Sequence, residues 1–342
     1  MSDQKITTFG EIMLRLKTPE HLRIVQTDDF EASYGGAEAN VAAALSALGD
    51  RAAFVTKLPE NPVGEAACGT LRRYGVDTSL VLRGGKRLGI YYFEKGCDIR
   101  PTNVVYDREF SALALAEPSE FDWDKILDGT SLFYFSGVTP AISPAIEQAV
   151  RDALAVCRAR GIAVACDLNY RAKMWSPSAA QTVMRELMKD VTVCFANDED
   201  FEATLGIRAF DGDMSRGIEQ MDSYKHGMEE TLEQYPNCRV VASVLRSLST
   251  AEDGRWMGLY LRDGVFYESA VHRVRSYEAV GAGDAFAGAM LHALLHDYAP
   301  QESIEFGIAA SVLKLMIQRD FNLVTEAEIR HVMQAGSTNL QR

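Results

Sequence analysis

A chain of 342 residues with 47% hydrophobic and 24% charged side chains has the composition of a globular protein with room for a large core. Its formal net charge of −13 and its scattered Lys and Arg argue against a nucleic-acid partner, and no apolar run approaches the roughly 18 residues of a membrane span. Six cysteines without a C-x-x-C pair, and an N-terminus without a signal peptide's apolar region, predict a cytoplasmic protein with reduced thiols.

The N-terminal region predicts a strand followed by a glycine turn and a helix. Residues 5–17 are predicted to form one strand. Its apolar and polar residues alternate, as in a strand with only one buried face, so we expect it to continue out of the main sheet. The pair Gly35-Gly36 then precedes an alanine-rich helix at 41–48. The pair is compatible with a simple turn, but glycines also let a polyol approach the backbone, and Asn40 offers a donor and acceptors to its hydroxyls.

Two stretches, about 11–34 and 86–110, predict a small β-sheet extension inserted into the main domain. We expect this extension to act as a lid over a ligand. Rings and a guanidinium group on it would suit a bound acid, because the planar arginine fork matches a carboxylate. The residues in question are Tyr91, Tyr92, Tyr106 and Arg108. The alternative is an ordinary sheet surface.

From residue 131 onward the pattern alternates between strands and helices, which is typical of a parallel α/β sheet. The strand at 162–166 is almost continuously apolar, as expected for a strand buried on both faces. Asp167, Asn169 and Arg171 follow it and share one face, so they should converge at a ligand-binding strand end. The alternative is an Asx turn with a solvated arginine. The next strand, at 191–196, ends in the acidic helix start Asn197-Asp198-Glu199-Asp200.

The sequence Val280-Gly281-Ala282-Gly283-Asp284-Ala285 leads into a run rich in Ala, Leu and Met, which predicts a glycine turn that opens onto a helix N-terminus. The free N–H groups of that first turn would face an anion held at residues 281–283. Asp284 lies at the mouth of this site. It suits a plain N-cap, or a base that takes a proton from a hydroxyl attacking a phosphate.

Other familiar motifs are absent. The glycine turn is not the G-x-G-x-x-G of a dinucleotide site, and the Gly85-Lys86 pair lacks the first glycine of a Walker A loop. His292 and His296 stand four residues apart on the same predicted helix, but Ala293 replaces the glutamate of a zinc-protease motif. We therefore interpret these histidines as residues of a helix face.

Taken together, these motifs resemble the ribokinase-like (phosphofructokinase-B) family of sugar kinases, and within it the branch that phosphorylates 2-keto-3-deoxygluconate. The resemblance covers nearly the whole chain. The stretches that carry it are Gly35-Gly36-Ala37-Glu38-Ala39-Asn40, Gly89-Ile90-Tyr91, Tyr106-Asp107-Arg108, Ser136-Gly137-Val138-Thr139-Pro140, Asp167-Leu168-Asn169-Tyr170-Arg171, Trp175-Ser176-Pro177 and Gly281-Ala282-Gly283-Asp284.

The resemblance implies one ribokinase-like α/β domain over residues 1–342, with a mostly parallel sheet flanked by helices and a small β-sheet lid. It implies a sugar site formed by Gly35, Gly36, Asn40, Tyr91, Tyr106, Arg108, Val138, Arg171, Asp284 and Asp320. It implies a nucleotide site formed by Asn169, Asn197, Arg246, Gly281, Ala282 and Gly283, and a metal site at Asn197 and Asp200. The implied cofactors are ATP and Mg²⁺, with a monovalent cation as an option, and a homo-oligomer formed through the lid is a further option.

We accordingly expect ATP-dependent phosphorylation of the terminal primary hydroxyl of 2-keto-3-deoxygluconate, with Asp284 as the base and the 281–283 amides stabilising the developing charge. Three departures from the family pattern are Asp200 in place of a glutamate, Glu278 in place of an aspartate, and a stretch at 243–246 without the usual threonine and glycines. The alternatives are a kinase for a neutral sugar such as fructose or ribose, and a non-catalytic sugar sensor; an NAD-binding oxidoreductase is more distant. A neutral sugar would not need two arginines.

Overall fold

The computed structural model describes residues 4–334. Its strands are β1 (Lys5–Phe9), β2 (Met13–Lys17), β3 (Glu31–Gly35), β4 (Arg51–Val55), β5 (Lys57–Leu58), β6 (Leu82–Arg83), β7 (Ile90–Glu94), β8 (Asn103–Asp107), β9 (Thr130–Ser136), β10 (Ala163–Asp167), β11 (Val193–Phe195), β12 (Val240–Leu248), β13 (Asp253–Arg262), β14 (Val265–Glu268) and β15 (His272–Arg275). Its α-helices are α1 (Ala37–Ala47), α2 (Pro62–Arg73), α3 (Trp123–Ile126), α4 (Pro144–Arg160), α5 (Pro177–Leu187), α6 (Met221–Gln234), α7 (Ala282–Leu295), α8 (Pro300–Lys314) and α9 (Glu326–Met333).

The main sheet has the strand order β14-β13-β12-β11-β10-β9-β1-β4, with β15 also paired to β13. The strands from β4 to β12 in this order are parallel, and β13, β14 and β15 add antiparallel pairs at one side. The fold is thus the ribokinase-like α/β fold that the motifs predicted. No helix within residues 4–334 is long and apolar enough to cross a membrane.

Helices cover both faces of this sheet, and β9 illustrates how. Phe133 and Phe135 point into a core that includes apolar residues of α4, α5 and α6, whereas Leu132 and Tyr134 point into a second core with residues of α1, α7 and α8. Because successive side chains of a strand point to opposite faces, a strand between two helical layers must be apolar at every position. This explains the continuous apolar runs of the central strands.

The predicted strand at 5–17 is in fact two strands in two different sheets. β1 lies between β9 and β4 in the main sheet, while β2 pairs with β3 and β7 in the small sheet. Gly10 lies at the break, and the absence of a side chain there leaves room for the Glu38 carboxylate, which a Cβ atom would overlap. The chain therefore does leave the main sheet as expected, but through a break rather than as one long strand.

The second, four-stranded sheet has the order β3-β2-β7-β8, and we call it the lid. Tyr91 of β7 and Tyr106 of β8 are cross-strand partners, so their rings lie on the same face with centroids 6.1 Å apart. Tyr92 points to the opposite face and packs on Phe30. The expectation that Tyr92 joins the other two rings was therefore wrong, because adjacent residues of a strand alternate.

Several elements differ from the sequence-based expectations. Strand β15 and helix α5 were not predicted, β3 was not predicted as a separate strand although it overlaps the expected lid stretch at about 11–34, and α1 begins at Ala37 rather than at residue 41. The acidic stretch at 197–200 leads into a π-helical turn, Phe201–Leu205, rather than a regular helix. Helix α5 has a narrow apolar face, which made it hard to recognise in the sequence. Its clearest sequence signal is Ser176 before Pro177, because the serine hydroxyl caps the helix by accepting a hydrogen bond from the Ala179 amide.

Candidate active site

The first turn of α7 is open toward a cavity. Gly281 precedes the helix with φ 78°, and a Cβ atom there would overlap the backbone carbonyl oxygen of Asp320. Only glycine therefore fits position 281 without strain. Gly283 is different, since a Cβ atom there would meet no atom of residues 4–334 within 4 Å apart from its chain neighbours and the backbone of its own helix turn. The space beside Gly283 belongs to the cavity, so the amides of this turn are accessible to an anion.

Asp284 follows this turn and is half-buried. Its Oδ2 accepts a hydrogen bond of 2.7 Å from Nδ2 of Asn40. Burial raises the pKa of Asp284 to about 7; the Asn40 hydrogen bond opposes this shift and the nearby carboxylate of Glu38 adds to it. A carboxylate with a pKa close to neutrality is well matched to take up a proton from a hydroxyl group.

Asn40 is held in place by the entry to α1. The Asn40 amide donates to the Gly36 carbonyl oxygen at 2.7 Å, and the Gly36 amide donates to Asn40 Oδ1 at 3.3 Å. A Cβ atom at Gly36 would overlap the carbonyl oxygen of Glu11, so this glycine lets the α1 start lie against the segment between β1 and β2. The side-chain amide of Asn40 is thereby directed at Asp284.

A cavity of about 390 Å³ lies between the lid and the carboxyl ends of β10, β11 and β12. Its lining includes nearly every residue that the sequence assigned to sugar, nucleotide or metal: Gly36, Asn40, Tyr91, Tyr106, Arg108, Val138, Asn169, Arg171, Asn197, Asp200, Arg246, Gly281, Ala282, Gly283, Asp284 and Asp320. Gly35 is the exception, because it packs against the side chain of Asp320 beside the cavity. This position follows a topological rule, since ligands of open α/β sheets collect at the carboxyl ends of strands.

The two arginines in the cavity have different surroundings. Arg108 donates from Nε to Glu11 Oε2 at 2.8 Å and forms an ion pair with the same carboxylate through Nη2 at 2.5 Å. Arg171 is exposed, and its Nη1 donates to the carbonyl oxygen of Tyr170 at 2.7 Å. Arg171 is therefore the arginine whose charge is more available to a bound anion, while Glu11 neutralises Arg108.

The carboxyl ends of β10 and β11 bring acidic residues to the cavity. Asp200 accepts hydrogen bonds from the amides of Asn197, at 2.9 Å, and Tyr170, at 2.8 Å, so it ties the two strand-end loops together. Burial raises the pKa of Asp200 to about 6. Burial raises the pKa of Asp167 well above its usual range, and the charges of Asp200 and Asp284 add to the effect. Asn197 Oδ1 accepts from the Val244 amide at 2.7 Å.

These carboxylates fit a hard divalent cation. Mg²⁺ prefers oxygen ligands and usually keeps several waters, so it needs only one or two protein carboxylates. Crowded carboxylates with raised pKa values are destabilised as anions, and a divalent cation would relieve that repulsion. The donor set at Asp167 and Asp200 is thus of the right chemistry for magnesium.

Arg246 also lines the cavity and forms an ion pair with Asp198. Asp198 also accepts a hydrogen bond of 3.1 Å from the hydroxyl group of Tyr224, and its backbone is left-handed with φ 40°. Arg246 is therefore anchored at a fixed position on β12.

Sequence reasoning missed a buried ionic cluster beneath the lid. Arg15 donates from Nη1 to Glu278 Oε1 at 2.5 Å and to Asp320 Oδ1 at 3.1 Å, and Tyr91 donates to the other oxygen of Asp320. Lys314 is fully buried, with Nζ donating to the Ile317 carbonyl oxygen at 2.9 Å. Burial lowers the pKa of Lys314 to about 8. The one sequence signal was the position of Arg15 between apolar neighbours in an alternating strand.

Comparison with known proteins agrees with this architecture. The family model for pfkB family carbohydrate kinases matches residues 3–316. A 2-dehydro-3-deoxygalactonokinase of Haloferax volcanii is 34% identical over 338 residues, with 99% of each chain covered.

Two solved structures are also similar. The 2-dehydro-3-deoxygluconokinase of Thermotoga maritima is 44% identical with a TM-score of 0.92, covering 97% of this chain and 98% of its own. A PfkB family carbohydrate kinase from Listeria grayi is 32% identical with a TM-score of 0.89, covering 97% of this chain and 100% of its own. With the family model matched over most of the chain and the predicted fold and cavity in place, this chain belongs to the pfkB family of carbohydrate kinases.

Proposed function

We propose that this kinase transfers the γ-phosphate of ATP to the terminal primary hydroxyl of a 2-keto-3-deoxy sugar acid, with 2-keto-3-deoxygluconate as the substrate. The observation that carries the proposal is the placement of Asp284, which lies at the accessible amides of the α7 N-terminus and is oriented by Asn40. A base and an anion site side by side are what phosphoryl transfer to a hydroxyl group requires.

In this mechanism Asp284 takes the proton of the sugar hydroxyl as that oxygen attacks the phosphorus atom. A positioned general base typically contributes about 10²- to 10⁴-fold to the rate. The amides of residues 281–283 stabilise the charge that develops on the transferred phosphoryl group. Because these groups are fixed by the Gly281 turn and by Asn40, little reorganisation is needed during the reaction.

The acid end of the sugar is assigned to the lid side of the cavity. Arg171 supplies a positive charge that no carboxylate neutralises by an ion pair within residues 4–334, and Arg108 adds a guanidinium group that Glu11 holds in place. Gly36, Asn40, Tyr91, Tyr106, Val138 and Asp320 are proposed to contact the remainder of the sugar. A neutral sugar would leave the Arg171 charge without a partner, so the keto acid is favoured over fructose or ribose.

ATP and Mg²⁺ are assigned to the other end of the cavity. Asn169, Asn197 and Arg246 are proposed to hold the nucleotide, and Asn197 with Asp200 to act on the metal, which neutralises phosphate charge when bound. Asp167, which the sequence did not assign to the metal, joins this group because it is buried beside Asp200 and Asp284.

The experiment is an ADP-release assay with ATP and Mg²⁺ against 2-keto-3-deoxygluconate, its galactonate epimer, fructose, ribose and no sugar. We expect turnover with the keto acids and background rates otherwise. The galactonate epimer belongs in the panel because the relatives above carry either sugar in their names. Turnover on neutral sugars alone would refute the assignment of a keto acid as the substrate. If no sugar in the panel stimulated ADP release, the alternative of a non-catalytic sugar sensor would be favoured.

A further inference from the structure

Asp50, His292 and His296 form a compact cluster at the end of α7 opposite to Asp284. Asp50 lies in the turn between α1 and β4, and the two histidines lie one helical turn apart. Nδ1 of His292 is 2.7 Å from Asp50 Oδ2, and Nε2 of His296 is 2.8 Å from Asp50 Oδ1. One ligand atom from each of the three residues lies within 4.8 Å of the other two.

The charges in this cluster favour a bound cation. The side chain of Asp50 is 3% exposed, and its ion-pair partners in the described part of the chain are these two imidazoles rather than a lysine or an arginine. A buried carboxylate without a permanent opposite charge is costly. A divalent metal ion would supply that charge.

The surroundings of His292 resemble the support that proteins give to a metal ligand. Nε2 of His292 lies 3.4 Å from the hydroxyl group of Tyr298, and that hydroxyl donates to Glu326 Oε1 at 2.8 Å. When Nδ1 binds a metal, the ring proton resides on Nε2, where the Tyr298 oxygen accepts it. Such a partner behind a ligating histidine fixes its tautomer and its ring orientation.

The site is also accessible and has the right size. His296 is 28% exposed, so a metal can enter from solvent and keep a water as a further ligand. Zinc bonds of about 2.0–2.1 Å place ligand atoms roughly 3.3 Å apart, so each Asp50–imidazole separation needs to widen by about half an ångström, and the two imidazole nitrogens lie within 4.8 Å of each other. Imidazole and carboxylate ligands suit zinc and its neighbours in the first transition row rather than magnesium.

We propose that Asp50, His292 and His296 bind one Zn²⁺ ion per chain. The ion ties the C-terminal end of α7, the helix that carries Asp284, to the turn that follows α1, the helix that carries Asn40. Asp284 and His296 are 12 positions apart along the helix, which is about 18 Å. The zinc site is thus separate from the phosphoryl-transfer site, and its role is to stabilise the fold.

The test is a calorimetric titration of Zn²⁺ into the full-length, chelator-treated protein in the presence of excess Mg²⁺. We expect one ion per chain and a rise in the melting temperature on binding. His296→Ala should weaken zinc binding at least tenfold and abolish the rise, while its circular dichroism and its kinase activity with Mg²⁺ stay at wild-type values. Asp50→Asn should lose zinc binding in the same way.

A second cluster provides a matched control. His21, Cys97 and Glu252 also place ligand atoms within 4.8 Å of one another, so zinc bound there would depend on the Cys97 thiol. Cys97→Ser should leave the titration unchanged, and Co²⁺ bound in place of zinc should show no thiolate charge-transfer band. The proposal is refuted if the wild type binds no stoichiometric zinc, if His296→Ala binds it with unchanged affinity, or if Cys97→Ser removes it.

Discussion

The Asn40 side-chain amide donates a 2.7 Å hydrogen bond to Asp284, and this bond joins two residues that are 244 positions apart in the chain. It depends on the close approach of α1 and α7. Gly288 of α7 permits this approach, because a Cβ atom there would lie only 2.9 Å from the Cβ of Ala44 on α1. Helix packing therefore determines the orientation of the proposed base. The same contact tunes its pKa, since donation to the carboxylate favours the charged form.

Asp284→Asn tests the base directly. The substitution keeps the size and the hydrogen-bonding shape of the side chain but cannot accept the proton, so we expect kcat to fall by about 10²- to 10⁴-fold. Sugar binding, measured by calorimetry, and the circular dichroism spectrum should be unchanged. Asp297→Asn, an exposed position just beyond the same helix, is the control and should retain full activity. Retained turnover in Asp284→Asn would remove this residue from the base role.

The pH dependence of kcat tests the Asn40 contact. Burial raises the pKa of Asp284 to about 7, so the base is protonated and inactive at lower pH, and kcat should fall as the pH drops through about 7. Asn40→Ala removes a donor that stabilises the Asp284 carboxylate, so the pKa of Asp284 rises further. The acidic limb of the kcat–pH profile should therefore move to higher pH. Ser46→Ala, further along α1, is the control. An unchanged acidic limb in Asn40→Ala would show that another group controls it.

The difference between what the sequence predicted and what it missed has a physical basis. Gly36, Asn40 and Asp284 belong to local patterns in which a glycine turn precedes a helix start, and such patterns are visible in one stretch of sequence. Arg15 and Glu278 pair across 263 positions, and Glu11 reaches Arg108 across 97. Partners so distant in the chain are determined by tertiary packing, which residue spacing alone does not reveal.

The missed elements have a similar explanation. β3 is an edge strand of the lid whose first two residues are exposed, so it lacks the alternating apolar pattern by which strands are recognised. At the break between β1 and β2, the Glu38 side chain occupies the space beside Gly10, a long-range contact that the local sequence does not reveal. The three hydrogen bonds that Glu38 accepts, from the amide and hydroxyl of Ser136 and the hydroxyl of Thr139, come from the distant end of β9 and the loop that follows it.

Arg171→Met tests the proposed contact with the acid end of the sugar. A hydrogen bond to a charged group is worth about 1.5–3 kcal/mol, so we expect the KM for the keto acid to rise roughly 10- to 100-fold. Arg160→Met, a surface arginine at the end of α4, serves as the control and should leave the KM unchanged. A KM for the keto acid that does not respond to Arg171→Met would place the carboxylate elsewhere in the cavity.

The two glycines of the α7 turn should respond to alanine in opposite ways. Gly281→Ala forces a side chain into a left-handed conformation with φ 78° and against the Asp320 carbonyl oxygen, so we expect a loss of about 1–3 kcal/mol in the free energy of unfolding. Gly283→Ala lies in the helix, and apart from its chain neighbours and its own helix backbone no atom of residues 4–334 lies within 4 Å of the new methyl group, so stability should stay the same or rise by up to about 1 kcal/mol.

Gly283→Ala should lose activity even though it keeps its stability. Its new methyl group occupies the space in which the phosphoryl group must reach the amides, so we expect kcat/KM to fall by about 10²-fold or more in a protein that is fully folded. Urea unfolding and the kinase assay, performed on both variants, separate the two effects. A Gly283→Ala enzyme with wild-type kcat/KM would mean that the phosphoryl group is not bound at this turn, and a Gly281→Ala enzyme with wild-type stability would contradict the backbone conformation described for residue 281.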